Sequence, residues 1–239
     1  NEALASYEAK KFAPRLRLLL GNLGAVQLNY GVTLKDIEYL IESVDCDAFT
    51  FHLNPLQEAI QPEGDRNFKG LVEKLAEIIP QIKVPVCIKE VGAGISRRTA
   101  LKIRSLPVAS VEVAGVGGTS WAYIEAMRQD DPIARATGIH LKSFGVPTAK
   151  SIQICREVFP DKYIVGSGGI RTGLDAAKAL ALGADMVAFA LPMLKAAEFS
   201  YEEMVLKIRQ MIHELKTVMF ITGSKKISEL RERIFPVQD

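Results

Sequence analysis

The chain reads as a parallel α/β fold, a (β/α)8 barrel whose N-terminal strands are missing from these 239 residues. Three observations point there. Short apolar runs alternate with segments of helical period, the rhythm of βα units. Polar and glycine-rich clusters follow the apolar runs directly, as they do at the C-terminal ends of barrel strands. With 48% hydrophobic residues the chain can fill one large core. The expected organisation is therefore a single domain over 1–239, incomplete on its N-terminal side.

The apolar runs are Leu16 to Leu20, Ala48 to Phe51, Val86 to Lys89, Ser110 to Val113, Tyr163 to Val165 and Met186 to Ala190. Their near-continuous hydrophobicity suits strands buried on both faces. Phe68 to Ile79 carries a helical stripe of Leu71, Val72, Leu75, Ile78 and Ile79. Thr33 and Asp36 form a capping-box pair. Leu174 to Leu182 is a third helix, capped by Gly183, and Tyr201 to Phe220 reads as one long amphipathic helix. Six strands fall short of eight. The chain opens in a helix-like stretch with no strand before Leu16, so either two strands lie outside the sequence or the sheet is an open doubly wound one; the barrel-like loop chemistry favours the first.

Composition excludes several classes. Thirty basic and 28 acidic residues leave a net charge of +2, which argues for neither nucleic acid nor an anionic membrane as partner. No apolar run reaches the roughly 18 residues of a membrane span, and the start lacks a signal-peptide pattern. Cys46, Cys87 and Cys155 are odd in number and widely spaced, as for reduced thiols in a cytosolic core.

The loops carry the chemistry. Val165-Gly-Ser-Gly-Gly-Ile-Arg171 lets the backbone approach an anion, with a helix N-terminus behind it and a guanidinium fork in Arg171. Ala190-Leu-Pro192 follows the next strand and could close over the same phosphate. Ala114-Gly-Val-Gly-Gly-Thr-Ser-Trp121 is a second glycine cluster, ahead of a helix holding Glu125. Two such clusters suggest a ligand with a long footprint, such as a flavin mononucleotide. Lys89 ends a buried strand and needs a partner: the electron-rich edge of a flavin, or Glu90 or another carboxylate. His52-Leu-Asn-Pro-Leu-Gln-Glu58 packs Asn54, Gln57 and Glu58 into five residues. Glu58 is an oxygen ligand of the kind Mg²⁺ takes, or else a helix cap or surface partner. His52 either donates to a diphosphate or is a satisfied buried histidine. Glu63 and Asp65 are flanked by Pro62 and Gly64 and read as part of a solvated turn, and His213 reads as surface.

These stretches, with Gly21-Asn-Leu-Gly-Ala25, Pro62-Glu-Gly-Asp65, Lys89-Glu-Val-Gly92, Gly145-Val-Pro-Thr148, Ser167-Gly-Gly-Ile-Arg-Thr-Gly-Leu-Asp175 and Thr222-Gly223, resemble the type 2 isopentenyl-diphosphate isomerases from about Leu19 to Leu230. The resemblance implies FMN bound by Asn22, Lys89, Thr119, Gly169, Ile170, Arg171, Ala190 and Leu191. It implies a substrate contact from Gln57, Mg²⁺ on Glu58, and supporting polar roles for His52, Asn54 and Glu125. It further implies a small diphosphate substrate, NADPH as reductant, a cytoplasmic homo-tetramer or homo-octamer, and conversion of isopentenyl to dimethylallyl diphosphate. The family's N-terminal basic pair and its Met-Thr-Gly-Gly-like and Gly-Ser-Gln-like loops are not found before Leu16. Ala114 replaces a small hydroxyl residue, and Phe144 a tryptophan. Two other readings are an FMN-dependent oxidoreductase of the hydroxy-acid oxidase type, against which the lack of a His-Gly-Gly-Arg-like segment counts, and a degenerate barrel that only binds phosphate.

Overall fold

A computed structural model describes residues 7–233. The opening helical stretch expected from Asn1 lies partly outside them; within them it survives as α1 (Ala9–Phe12). Six parallel strands follow in chain order, in one sheet ordered β1-β2-β3-β4-β5-β6. They are β1 (Leu20–Gly24), β2 (Ala48–Leu53), β3 (Val86–Glu90), β4 (Ser110–Glu112), β5 (Tyr163–Gly166) and β6 (Met186–Val187). Between and after them run α2 (Leu34–Val44), α3 (Pro55–Ile60), α4 (Leu71–Ile78), α5 (Arg97–Ile103), α6 (Trp121–Met127), α7 (Pro132–His140), α8 (Thr148–Val158), α9 (Gly173–Ala181), α10 (Leu191–Ala197), α11 (Tyr201–Ile221) and α12 (Leu230–Arg233). Strand, helix and strand in chain order is the repeat of the α/β barrel class.

The chain folds into two compact units. The first holds the stretch up to Lys89, Lys102–Val111 and Ala122–Leu141; the second holds Glu90–Leu101, Glu112–Trp121 and the stretch from Lys142 onward.

In the first unit β1 and β2 pair in parallel, with Asn22 opposite Thr50 and Gly24 opposite His52. Strand β1 begins where the expected run Leu16 to Leu20 ends, and Leu16 and Leu18 are exposed. The strand is Leu-Gly-Asn-Leu-Gly, too poor in apolar side chains to read as buried. Its first glycine explains why: a Cβ on Gly21 would lie 2.8 Å from Cys46 Sγ and 2.9 Å from the Phe49 ring. Phe49 and Phe51 meet edge to face at 5.3 Å between ring centres, and both are fully buried. The capping box of α2 forms as expected, with Thr33 Oγ1 accepting from Asp36 N and Asp36 accepting from Thr33 N. A small cluster of Ile60, Ala122 and Ala126 joins α3 to α6, with α7 close against it.

In the second unit β5 and β6 are parallel, with Val165 opposite Met186. Strand β6 keeps only two residues of the five expected, because Ala190 already caps α10. Helix α9 opens with a second capping box, Thr172 with Asp175. Gly183, at φ +116, turns the chain after it. Ala177 and Leu180 of α9 pack with Leu230, and Leu215, Val218 and Met219 of α11 close that core. The three cysteines are buried thiols, Cys87 accepting from Ser110 Oγ at 2.6 Å, and His213 is exposed. No helix among the described residues is long and apolar enough to cross a membrane.

Gly138 tests the packing between α7 and its neighbours. A Cβ there would meet Ala126 Cβ at 2.6 Å, Ile60 Cγ2 at 2.7 Å and Ala122 O at 2.9 Å. On an open helix face Gly→Ala would stabilise by about 1 kcal/mol. Here overpacking of about 1–3 kcal/mol opposes it. Gly138→Ala should therefore destabilise the chain, read as a lower urea midpoint with an unchanged slope; a raised midpoint would show that the interface yields.

Candidate functional site

In the first unit the polar cluster starts where β2 ends. His52 is the fifth residue of that strand, and its Nδ1 lies 3.2 Å from Asn22 Oδ1 on the paired β1. The imidazole is pushed down to about 4, first by burial and then by the nearby Lys89 cation. It is therefore neutral at neutral pH. Lys89, half-buried at the end of β3, has no ion pair among the described residues. Glu90, the partner weighed for it, is engaged otherwise: its Oε2 accepts from the backbone N–H groups of Val91, Gly92, Ala93 and Gly94.

Asn54 occupies the N-cap of α3, and Pro55 starts the helix, a sequence suited to a helix start. Yet its side chain does not cap. Its Nδ2 donates to Glu58 Oε1 at 2.8 Å and to Gln57 Oε1 at 3.4 Å. Glu58 Oε2 accepts from Asp65 N at 2.7 Å. Gln57 Nε2 donates to Glu125 Oε1 at 3.0 Å, reaching from α3 to α6. Asn54, Glu58 and Glu125 are 3–6% exposed. Asn54 Oδ1 is the one buried side-chain polar atom among the described residues without a hydrogen-bond partner. Such an orphan costs about 1–3 kcal/mol and calls for an explanation. Swapping the amide would set oxygen against the Glu58 carboxylate, so the orphan is real.

Asn54, Gln57, Glu58 and Glu125, expected at the site, thus come together, while Asn22 and His52 contact each other across β1 and β2. The Glu63 to Asp65 turn is tied in: Glu63 pairs with Arg128 at 3.3 Å, and Arg128 Nη1 donates to Glu125 Oε2 at 2.6 Å. Asp65 also accepts from Gln27. The role of Arg128 was not read from the sequence, where it is an ordinary i,i+3 partner of Glu125.

In the second unit the glycines allow two loops to touch. A Cβ on Gly118 would sit 2.7 Å from Gly169 N, and one on Gly169 2.4 Å from Gly117 O. Arg171 spans the contact, donating from Nη1 to Gly169 O at 2.9 Å and from Nη2 to Gly117 O at 2.7 Å. Thr119 follows in the same loop, and Ile170 is buried. Ala190 and Leu191 stand at the start of α10, where the Ala190 carbonyl accepts from Met193 and Leu194.

The N-terminus of α9 differs from expectation. Arg171 N and Thr172 N both donate to Asp175 Oδ2, Asp175 N donates to Thr172 Oγ1, and Gly173 N donates to Glu214. These groups are satisfied by carboxylates and a hydroxyl, so a phosphate would rely on loop residues 168–170 and Arg171. Ala114, at φ +36, is a non-glycine in strained backbone, and its N donates to Ser167 Oγ.

No group of three or more His, Cys, Asp or Glu side chains among the described residues could hold a metal alone. Mg²⁺ keeps waters and bridges to phosphates, so one carboxylate beside an unpaired amide oxygen suits it. The touching glycine loops with an arginine suit a phosphate-bearing cofactor.

Residues 54–236 match the FMN-dependent dehydrogenase family. Curated relatives are named isopentenyl-diphosphate delta-isomerase. The one from Synechococcus sp. is 46% identical over 230 residues, covering 96% of this chain and 66% of the relative. That from Rickettsia bellii is 42% identical, covering 96% and 67%; that from Pyrococcus furiosus is 42% identical, covering 97% and 59%. The chain thus spans about two thirds of the length of its relatives, or somewhat less. Among solved structures, a lactate oxidase from Pediococcus acidilactici superposes with a TM-score of 0.62 at 17% identity, over 90% of this chain and 60% of that one. A mandelate oxidase with a monooxide FMN adduct gives 0.59 at 16%, over 89% and 61%. At that identity they share the fold.

His52 gives a pH signature. Its depressed folded value means that the unfolded chain takes up a proton near 6.5 while the folded one waits until about 4. The stabilisation is complete above 6.5 and is lost as pH falls toward 4. Between pH 7 and 4.5 the ligand-free wild-type chain should lose roughly 2–3 kcal/mol more stability in urea melts than His52→Gln. Equal losses would mean that His52 titrates normally.

Proposed function

The chain belongs to the FMN-dependent dehydrogenase family, among its isopentenyl-diphosphate delta-isomerases, and from that premise we propose that it interconverts isopentenyl and dimethylallyl diphosphate with reduced FMN. The observation that carries the proposal is the unpaired, buried Asn54 Oδ1, on the amide whose nitrogen holds the Glu58 carboxylate, an oxygen left open for a cation or its water.

The reaction adds a proton to one alkene carbon and removes one two carbons away, so electrons balance without net redox change. Glu58 and Asn54 would hold Mg²⁺, which would supply positive charge to the diphosphate. Neutral His52 offers that diphosphate a hydrogen bond and no proton, and Gln57 contacts the substrate with its amide oriented by Glu125. Asn22, Lys89, Thr119, Gly169, Ile170, Arg171, Ala190 and Leu191 serve FMN. Lys89 contributes a half-buried cation without a carboxylate partner among the described residues, a charge suited to an anionic reduced ring. Arg171 offers phosphate its remaining guanidinium donors. Reduced FMN, when bound, supplies proton exchange and an electron-rich face beside developing positive charge. NADPH as reductant, a homo-tetramer or homo-octamer and a cytoplasmic site complete the proposal. The family resemblance supports them, and the buried cysteine thiols support the last.

Turnover should require reduced flavin while NADPH is not consumed in proportion to product. One NADPH oxidised per product would make the protein an oxidoreductase. No flavin binding at all would remove both enzyme readings.

Glu58→Gln should leave FMN binding unchanged, raise the Mg²⁺ needed for half-maximal rate and cut turnover sharply, since a neutral amide is a weaker ligand than a carboxylate. Were Glu58 only a partner for Asn54 and Asp65, the Mg²⁺ titration would match wild type.

A further inference from the structure

We propose that Arg128 is a positioning residue for the Gln57 amide, acting through Glu125. The proposal rests on the reading of Gln57 as the substrate-contacting amide. Gln57 is on α3, and its side chain has two chemically different ends of nearly the same shape. Glu125 decides which end faces which way. An ionised carboxylate only accepts hydrogen bonds, so the Gln57 end facing it must be Nε2, as found at 3.0 Å. The Gln57 oxygen is then turned to the other side, where Asn54 Nδ2 reaches it at 3.4 Å while holding Glu58 at 2.8 Å. Donation thus runs from Asn54 through Gln57 to Glu125, while the same Asn54 nitrogen also donates to Glu58.

Glu125 keeps this polarity only while it stays a carboxylate, and its side chain is 4% exposed. A buried carboxylate needs a cation or several donors. Arg128 is the cation the structure gives it, with Nη1 to Oε2 at 2.6 Å. Arg128 comes one turn after Glu125, just past the end of α6, and its own side chain is 54% exposed. It therefore reaches the buried carboxylate from solvent. Its second contact, Glu63 at 3.3 Å, is exposed on both sides and contributes little. Removing the guanidinium leaves a buried carboxylate without its cation. Water entry relieves that state and gives the Gln57 amide and its carboxylate competing partners.

A structural ion pair would affect folding and leave the amide alone, so the test reads the amide directly. In the ligand-free 239-residue chain, the Gln57 side-chain N–H pair is assigned by its loss in Gln57→Met. Arg128→Met should shift that pair and speed its solvent exchange about tenfold, and Arg128→Lys should restore it in large part. With FMN, Mg²⁺ and isopentenyl diphosphate supplied, Arg128→Met should lower kcat/KM about tenfold or more at unchanged FMN affinity. A Gln57 amide with wild-type shift and exchange in Arg128→Met overturns the proposal, whatever happens to turnover. If Arg128→Met does not fold, Arg128→Gln carries the same comparison. If wild type shows no isomerisation, the function reading fails while the amide spectrum still decides the role of Arg128.

Discussion

One buried carboxylate organises the loops of the second unit. Glu90 Oε2 gathers four consecutive backbone N–H groups at 2.6–3.1 Å, a nest that the chain can form only by curling. Burial pushes the Glu90 carboxyl up, and the same four donors pull it back down. The curl needs glycine at Gly92 and Gly94, where φ is +150 and +73. It also fixes what lies on either side. Gly94 N donates to Ala114 O, Ala93 O accepts from Val146 N, and Val116 exchanges bonds with Val146 and Thr148. Thr148 Oγ1 then donates to Gly168 O at 2.6 Å. From a single side chain the order passes through three loops to the glycine pair that Arg171 bridges.

The two units solve the problem of buried charge differently. In the second, backbone N–H groups surround Glu90, and α9 keeps its own N-terminal donors occupied with Asp175, Thr172 and Glu214. An anion there meets a loop and one arginine, with two carboxylates close behind, so Arg171 matters more than it would at an open helix end. In the first unit, side chains solvate side chains: Arg128 holds Glu125, and Asn54 with Asp65 N holds Glu58. Such a network has directions that a backbone nest lacks, because each amide must point one way. Directional groups are suited to reading a substrate, and nests to holding a loop.

Legibility in the sequence followed the same division. Strands β2 to β5 were visible because each lies in a short, largely apolar run bounded by polar or glycine-rich segments, and α2 and α11 because capping and periodicity are local. Strand β1 was displaced because Gly21 must leave room for Cys46 and Phe49, a demand made by a neighbour and invisible in its own stretch. His52, Asn54, Gln57 and Glu58 could be picked out together since they are crowded into the seven residues from the end of β2 into α3. Arg128 could not, for its meaning comes from Gln57, 68 residues from Glu125 in sequence. Glu90 was seen only as a neighbour for Lys89; the run of small residues after it was the signal that it caps its own loop.

Two local rules are broken just after strands. Asn54 holds an N-cap position and gives up the cap, which forgoes about 1 kcal/mol, and leaves Oδ1 unpaired in addition. Ala114 accepts a left-handed backbone that glycine would take freely. Sequences that are otherwise consistent with their fold tolerate such losses at sites shaped by something other than stability. Asn54 shows the logic most plainly. A capping Asn would turn its oxygen to the helix N–H groups and would be satisfied by the fold alone. By turning its nitrogen to Glu58 it holds the carboxylate in place and keeps its oxygen for a partner that the chain does not provide.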